Sequence, residues 1–127
     1  MAELLVDIDT IGANTEAVAR LLRERGLDLV AVTKGCLGEP RVAAAMLAAG
    51  AKALADTRDE NLRRLRAAFS EAELDRIGLP SSDGDFELGD ISYVSSWENA
   101  EAVAAGAPSA PRRVMLLVET GDEREGV

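Results

Sequence analysis

Short apolar runs alternate with longer helical patterns along these 127 residues, and that alternation leaves few folds open. "LLVDID" (4–9), "LDLVAVT" (27–33), "AKALAD" (51–56), "ISYVS" (91–95) and "RVMLLVE" (113–119) read as strands. Between them lie stretches with the spacing of amphipathic helices. Strand–helix alternation predicts βαβ units, a parallel sheet and right-handed crossovers with the helices outside. The run 27–33 is apolar almost throughout, the pattern of a parallel strand buried on both faces. In such folds the carboxyl ends of the strands hold ligands. Polar residues gather there: Lys34, Asp56, Ser95 and Glu119.

Helix signals support the same layout. Thr10 or Asp9 can cap a helix over 10–26 that carries Ile11, Val18, Leu21 and Leu22 on one face, with Gly26 past its end. Pro40 suits the first position of an alanine-rich helix ending at Gly50. Thr57 and Glu60 form a capping box before a helix with Leu62, Leu65 and Phe69 on one side. "SEAE" (70–73) reads as a second box. Ser95 and Glu98 read as a third, opening a helix through Ala105 with Trp97, Ala100 and Ala104 inward. "DRIGLP" is compatible with a short strand, "SSDGDFELGD" has breakers and no helical stripe, and "APSAP" reads as a loop.

Charge narrows the partners. The net charge of −9 argues against nucleic acid and against a polybasic membrane contact. No apolar run approaches the roughly 18 residues of a membrane span, and the start lacks a secretory pattern, so a cytoplasmic protein is expected. The single cysteine, Cys36, forms no internal disulfide, and the absence of histidine excludes a histidine-based metal site or Ser-His-Asp triad within the chain. No metal is expected.

Lys34 ends an apolar run and is followed at once by Gly35. It is either a surface charge that snorkels to water or a Schiff-base lysine. In the second case desolvation favours the free amine, and Gly35 permits close approach of a ligand. Cys36 beside it reads as a small, partly buried residue rather than a catalytic thiol.

The segments "VDIDTIGANTEAV", "VAVTKGCLGEPRVAAAMLAAGAKALADTRDENLRRL" and "VETGDEREGV" resemble the N-terminal part of alanine racemase-like (fold-type III) enzymes that use pyridoxal 5′-phosphate (PLP). "VTKG" and "ADTRDENLRRL" are similar to the ornithine racemase-like branch. The resemblance is weakest from about Asp75 to Asp90. It implies an α/β fold, a partial (β/α)8 TIM-type barrel of parallel strands spanning 1–127. It also implies that the chain is truncated, with the rest of the barrel and a β-rich domain outside these residues. About five barrel strands are readable, whereas a whole barrel needs eight and typically ~250 residues. "LLVDID" would then pair with the other domain, and the helix at 10–26 would close the barrel.

The same resemblance implies an isomerase acting on a small-molecule amino acid. Lys34 would form the Schiff base with PLP and carry the α-proton. Arg124 would contact the phenolic oxygen of PLP. Asp56 and Arg58, on the ligand edge, are further candidates for cofactor contact. The second base would come from outside these residues, since Tyr93 lies within a strand and does not match its motif. Much of the phosphate cradle would also lie outside, so weak PLP retention and an inactive isolated chain are expected. The alternatives are a non-catalytic PLP-binding protein and a remnant without ligand. Unpaired strand edges predict self-association.

Overall fold

The computed structural model describes residues 3–78, 86–106, 113–121 and 123–127. Five strands form one wholly parallel sheet in chain order: β1 (Val30–Val32), β2 (Ala53–Asp56), β3 (Glu73–Arg76), β4 (Ile91–Val94) and β5 (Arg113–Leu116). The helices are α1 (Ile8–Arg23), α2 (Pro40–Ala48), α3 (Asp59–Ala68) and α4 (Trp97–Gly106). Strands in sequential order, with α2, α3 and α4 between β1 and β2, β2 and β3, and β4 and β5, form one wall of a β/α barrel. The stretch "APSAP" lies outside the described residues.

One face of the sheet is dry. Ala31, Leu54 and Leu74 point outward from the strands and meet Ala43 of α2 and Leu62 and Leu65 of α3. Leu54, Leu62, Leu65 and Leu74 are fully buried there. Leu62→Ala is expected to cost about 2–5 kcal/mol, because the aliphatic neighbours cannot close the resulting cavity. Denaturant unfolding of the two proteins checks it; a loss within ordinary surface-mutation scatter, about 0.5 kcal/mol, would contradict this packing. The opposite, concave face is open at the edge strands, although Ala53, Ala55 and Asp75 on the central strands are buried. Val32 is 46% exposed and Met115 45%.

That openness corrects the reading of 27–33. Only Ala31 of β1 is buried, and the strand is three residues long, because it is an edge strand with nothing described against its inner face. An apolar composition reports that a strand has two faces to cover. It does not report whether both are covered within these residues.

Other boundaries shift for local reasons. Residues 4–7 form no strand, and Ile8 and Asp9 are already helical. Asp7 is the cap: its carboxylate accepts from the Thr10 amide at 2.9 Å and the Thr10 hydroxyl at 2.7 Å. In α1 the buried residue is Ala19, while Val18 and Leu21 are exposed, so the inward stripe lies to one side of the expected one.

Thr57 does not cap α3; Arg58 holds that position without a side-chain bond. "SEAE" starts no helix. Arg66 instead donates to the carbonyls of Ser70 and Ala72, both at 2.9 Å, and β3 begins at Glu73. The Asp90 carboxylate accepts from the Leu74 amide and from Arg66, tying that turn to the approach of β4. Before α4, the Asn99 amide donates to the Ser96 hydroxyl at 3.2 Å, one residue later than the expected cap. The inward face of α4 therefore differs too. Val103 packs on Phe86 and Val94, whereas Trp97 is 75% exposed.

Candidate functional site

Because all five strands run the same way, their carboxyl ends share one edge. Lys34 follows β1, Asp56 ends β2, Ser95 follows β4, and the segment with Arg124 follows β5. Lys34 opens a single 3-10 turn, Lys34–Cys36, rather than finishing the strand. Its side chain is exposed, so the desolvation expected from the apolar run does not arise from the described residues.

Lys34 lines a cavity of about 360 Å³ on the concave side. Val30, Val32, Ala55, Ile77 and Leu117 give it an apolar floor, and Tyr93, Arg124 and Glu125 add polar groups. Arg124 arrives by a folded-back loop. The Leu117 amide continues the β4–β5 ladder by donating to the Val94 carbonyl at 2.8 Å. The Val127 amide then donates to the Leu117 carbonyl, and the Glu119 amide to the Val127 carbonyl, each at 3.1 Å. Gly126 permits this closure. It has φ +141°, and an added Cβ would strike the backbone of Val118 and Glu119. A stretch whose charges read as a solvated loop is thus returned over the strand ends, with Arg124 near Glu125 at 3.6 Å.

Asp56 and Arg58 reach the same edge but do not line this cavity. The Asp56 carboxylate is fully buried and engaged. Oδ2 accepts from the Thr33 hydroxyl at 2.7 Å. Oδ1 accepts from the amides of Thr57 at 2.7 Å and Arg58 at 3.1 Å, and from Asn61 Nδ2 at 3.0 Å. Arg58 is exposed at the start of α3. Cys36 is half-buried, its thiol donating to the Thr33 carbonyl at 3.2 Å.

Tyr93 is a lining residue that strand reading passed over. The alternation in "ISYVS" could have found it, since Ile91 and Tyr93 share a face and Ser92 and Val94 take the other. Its hydroxyl donates to Asp75 Oδ2 at 3.5 Å, and Asp75 is 2% exposed. Among the described residues, Asp75 Oδ1 has no hydrogen-bond partner. Burial raises the Asp75 pKa from its ordinary value, with the nearby Glu73 charge adding to it. Burial, and then the Asp75 charge, raise that of Tyr93. A carboxyl whose folded-state pKa is raised contributes stability below its unfolded value and loses it as pH rises through the folded value. Asp75→Asn is therefore expected to stabilise the protein at neutral pH, with the gain shrinking as pH falls through the raised folded-state value and gone below about pH 4, the unfolded value. Urea midpoints across pH test this, and a gain independent of pH would refute it.

Among the described residues no group of three or more histidine, cysteine, aspartate or glutamate side chains could hold a metal ion. No helix among them is long and apolar enough to cross a membrane.

The sheet, its outer helices and the cavity at the strand carboxyl ends define a β/α-barrel segment with an open cavity at that edge. The chain belongs to the alanine racemase N-terminal domain family, whose model matches residues 6–127. It is 31% identical over 129 residues to the lysine racemase of Thermotoga maritima, an alignment covering 98% of this chain and 36% of that protein. The fold is similar to that of alanine racemase from Streptomyces coelicolor A3(2), with TM-score 0.79 and 29% identity over 95% of this chain and 34% of that one. Alanine racemase from the D-cycloserine producer Streptomyces lavendulae gives TM-score 0.80 and 26% identity, over 95% of this chain and 33% of that one. The chain spans about a third of the length of these relatives.

Proposed function

We propose that this chain is the cofactor-carrying barrel portion of a PLP-dependent amino-acid racemase. The observation that carries the reading is that Lys34 and Arg124, far apart in sequence, line one apolar-floored cavity at the strand carboxyl ends. The donor set fits PLP: a primary amine for covalent attachment, a guanidinium for an anionic oxygen, and Val32, Ala55 and Ile77 against a flat ring. When bound, PLP supplies an electron sink that makes the α-proton of an amino acid removable. Lys34 would hold the group covalently through Nζ, and the same amine would hold or receive that proton. Arg124 would hold an anionic oxygen of the cofactor and so orient it. The apolar floor excludes water from the ring face.

Racemisation needs a second proton carrier on the opposite face, and such groups typically contribute ~10²–10⁴-fold. Tyr93, the single tyrosine, turns its hydroxyl to Asp75 instead. That observation favours a second reading, a PLP-binding segment without turnover of its own. In either reading the substrate class is a small amino acid.

The chain has two lysines, which makes the test direct. PLP followed by borohydride and peptide mass mapping is expected to label Lys34 in preference to Lys52. Lys52 pairs with Asp28 at 2.5 Å, and that hydrogen bond raises its pKa and keeps it as ammonium. Labelling spread evenly over Lys52 and the N-terminus, unchanged by Lys34→Ala, would overturn the proposal. The open strands β1 and β5, with Val30, Val32, Val114 and Leu116 exposed, also lead us to expect concentration-dependent self-association. Sedimentation that stays monomeric up to millimolar protein would contradict it.

A further inference from the structure

We infer that Thr33, Asp56 and Asn61 form a positioning device for Lys34, and that Asp56 acts on the site through that device rather than by touching the ligand. This rests on Lys34 being the reactive amine. Thr33 and Asp56 are 0% exposed and Asn61 is 2% exposed, yet all three are polar. They come from three elements: the residue after β1, the last residue of β2 and the first turn of α3. A buried carboxylate is costly unless donors surround it. Here four donors do so, and one of them is the hydroxyl of the residue immediately before Lys34.

The turn that carries Lys34 closes on Thr33. The Thr33 amide donates to the Ala55 carbonyl at 2.9 Å, and its carbonyl accepts from the amides of Cys36 at 3.0 Å and Gly38 at 3.2 Å. The far side of the turn rests on α3. Gly38, at φ +62°, lies so close to Asn61 that an added Cβ would come within 3.0 Å of the Asn61 Cβ. Arg64 donates to the Leu37 carbonyl. Asn61 therefore braces the turn at Gly38 while donating to Asp56, and Asp56 holds Thr33 at the other end. The place where the Lys34 backbone stands is set by this loop of contacts. The amine itself is exposed and lines the cavity.

The test uses the full chain with Thr33→Val, Thr33→Ser and Asn61→Ala. Valine keeps the shape of Thr33 and removes the bond to Asp56; serine restores it. Two readouts are taken: amide hydrogen exchange of the 33–39 segment without ligand, and the Lys34:Lys52 ratio of PLP labelling after borohydride. Thr33→Val is expected to speed exchange in 33–39 and to lower the labelling ratio, each roughly 10-fold, the worth of about one hydrogen bond. Thr33→Ser should stay near wild type in both. If Thr33→Val does not fold, Asn61→Ala, which leaves β1 and β2 untouched, is read in the same way.

Wild-type selectivity for Lys34 that persists in Thr33→Val or Asn61→Ala would overturn the positioning role while leaving the proposed function intact. A wild-type chain with no preference for Lys34 would defeat the proposed function, and exchange alone would then decide whether the cluster orders the turn. Exchange that speeds equally in the β3–β4 region would mark the cluster as general fold support and overturn the inference.

Discussion

Lys34→Ala is expected to abolish saturable PLP attachment, leaving only slow, non-saturating modification of Lys52 and the N-terminus. The effect is large because a lysine held beside a binding cavity reacts at a much higher effective concentration than an amine free in solution; well-oriented pairs reach ~10⁵ M or more. In the proposed reading, the apolar floor and Arg124 would hold the ring where Lys34 can reach it. Arg124→Ala is then expected to weaken attachment roughly 10–100-fold, the loss of one charge-assisted contact of about 1.5–3 kcal/mol. Absorbance titration of the three proteins with PLP, followed by reduction and mapping, gives both numbers. Equal saturation in wild type and Lys34→Ala would remove the chemical basis of the proposed function. An Arg124→Ala protein that binds as wild type would show that the loop after β5 contributes no contact.

Asp56→Ala is expected to be the most destabilising single change at the site. It leaves the Asn61 amide group and two backbone amides at the start of α3 without their acceptor, and the Thr33 hydroxyl with only the longer contact to the Ala55 carbonyl at 3.2 Å. Loss of the helix-start contacts costs about 1 kcal/mol, and buried donors left unpaired cost about 1–3 kcal/mol more, giving roughly 2–4 kcal/mol. Domains are stable by only about 5–15 kcal/mol, so this is a substantial fraction of the whole. Asp56→Asn keeps one acceptor oxygen and should lose less. Chemical denaturation of the two variants decides it. A loss for Asp56→Ala below about 0.5 kcal/mol, or one equal to that of Asp56→Asn, would mean that the buried carboxylate is not the hub its contacts describe.

Asp56 also illustrates why the site was only partly legible. In sequence it is a carboxylate at a strand end before a helix, equally suited to a ligand contact or a helix terminus. The choice depends on Thr33 and Asn61 converging on it, and neither spacing nor residue type announces a contact between positions brought together by separate elements. Arg124 is the opposite case. It stands in an acidic, loop-like stretch, and only the resemblance singled it out. Its arrival beside Lys34 depends on the Val127–Leu117 and Glu119–Val127 hydrogen bonds and on a glycine that the backbone leaves no room to replace.

The period of the apolar residues was enough to establish strands, helices and a parallel sheet, because burial against one layer imposes a local pattern. It placed Lys34, Asp56 and Ser95 at one edge for the same reason: parallel strands put all their carboxyl ends together. Caps and faces did not follow. Ser96 rather than Ser95 starts α4, Val103 rather than Trp97 faces the core, and Asp7 rather than Thr10 or Asp9 caps α1. Each choice turns on which of several chemically equivalent neighbours meets a donor or a cavity, and that depends on how the elements pack. The tertiary arrangement also decided that β1 is an edge strand with one open face, that Tyr93 turns to a buried Asp75, and that Lys34 and Arg124 share a cavity. Those are relations between distant residues, fixed when the sheet assembles and not before.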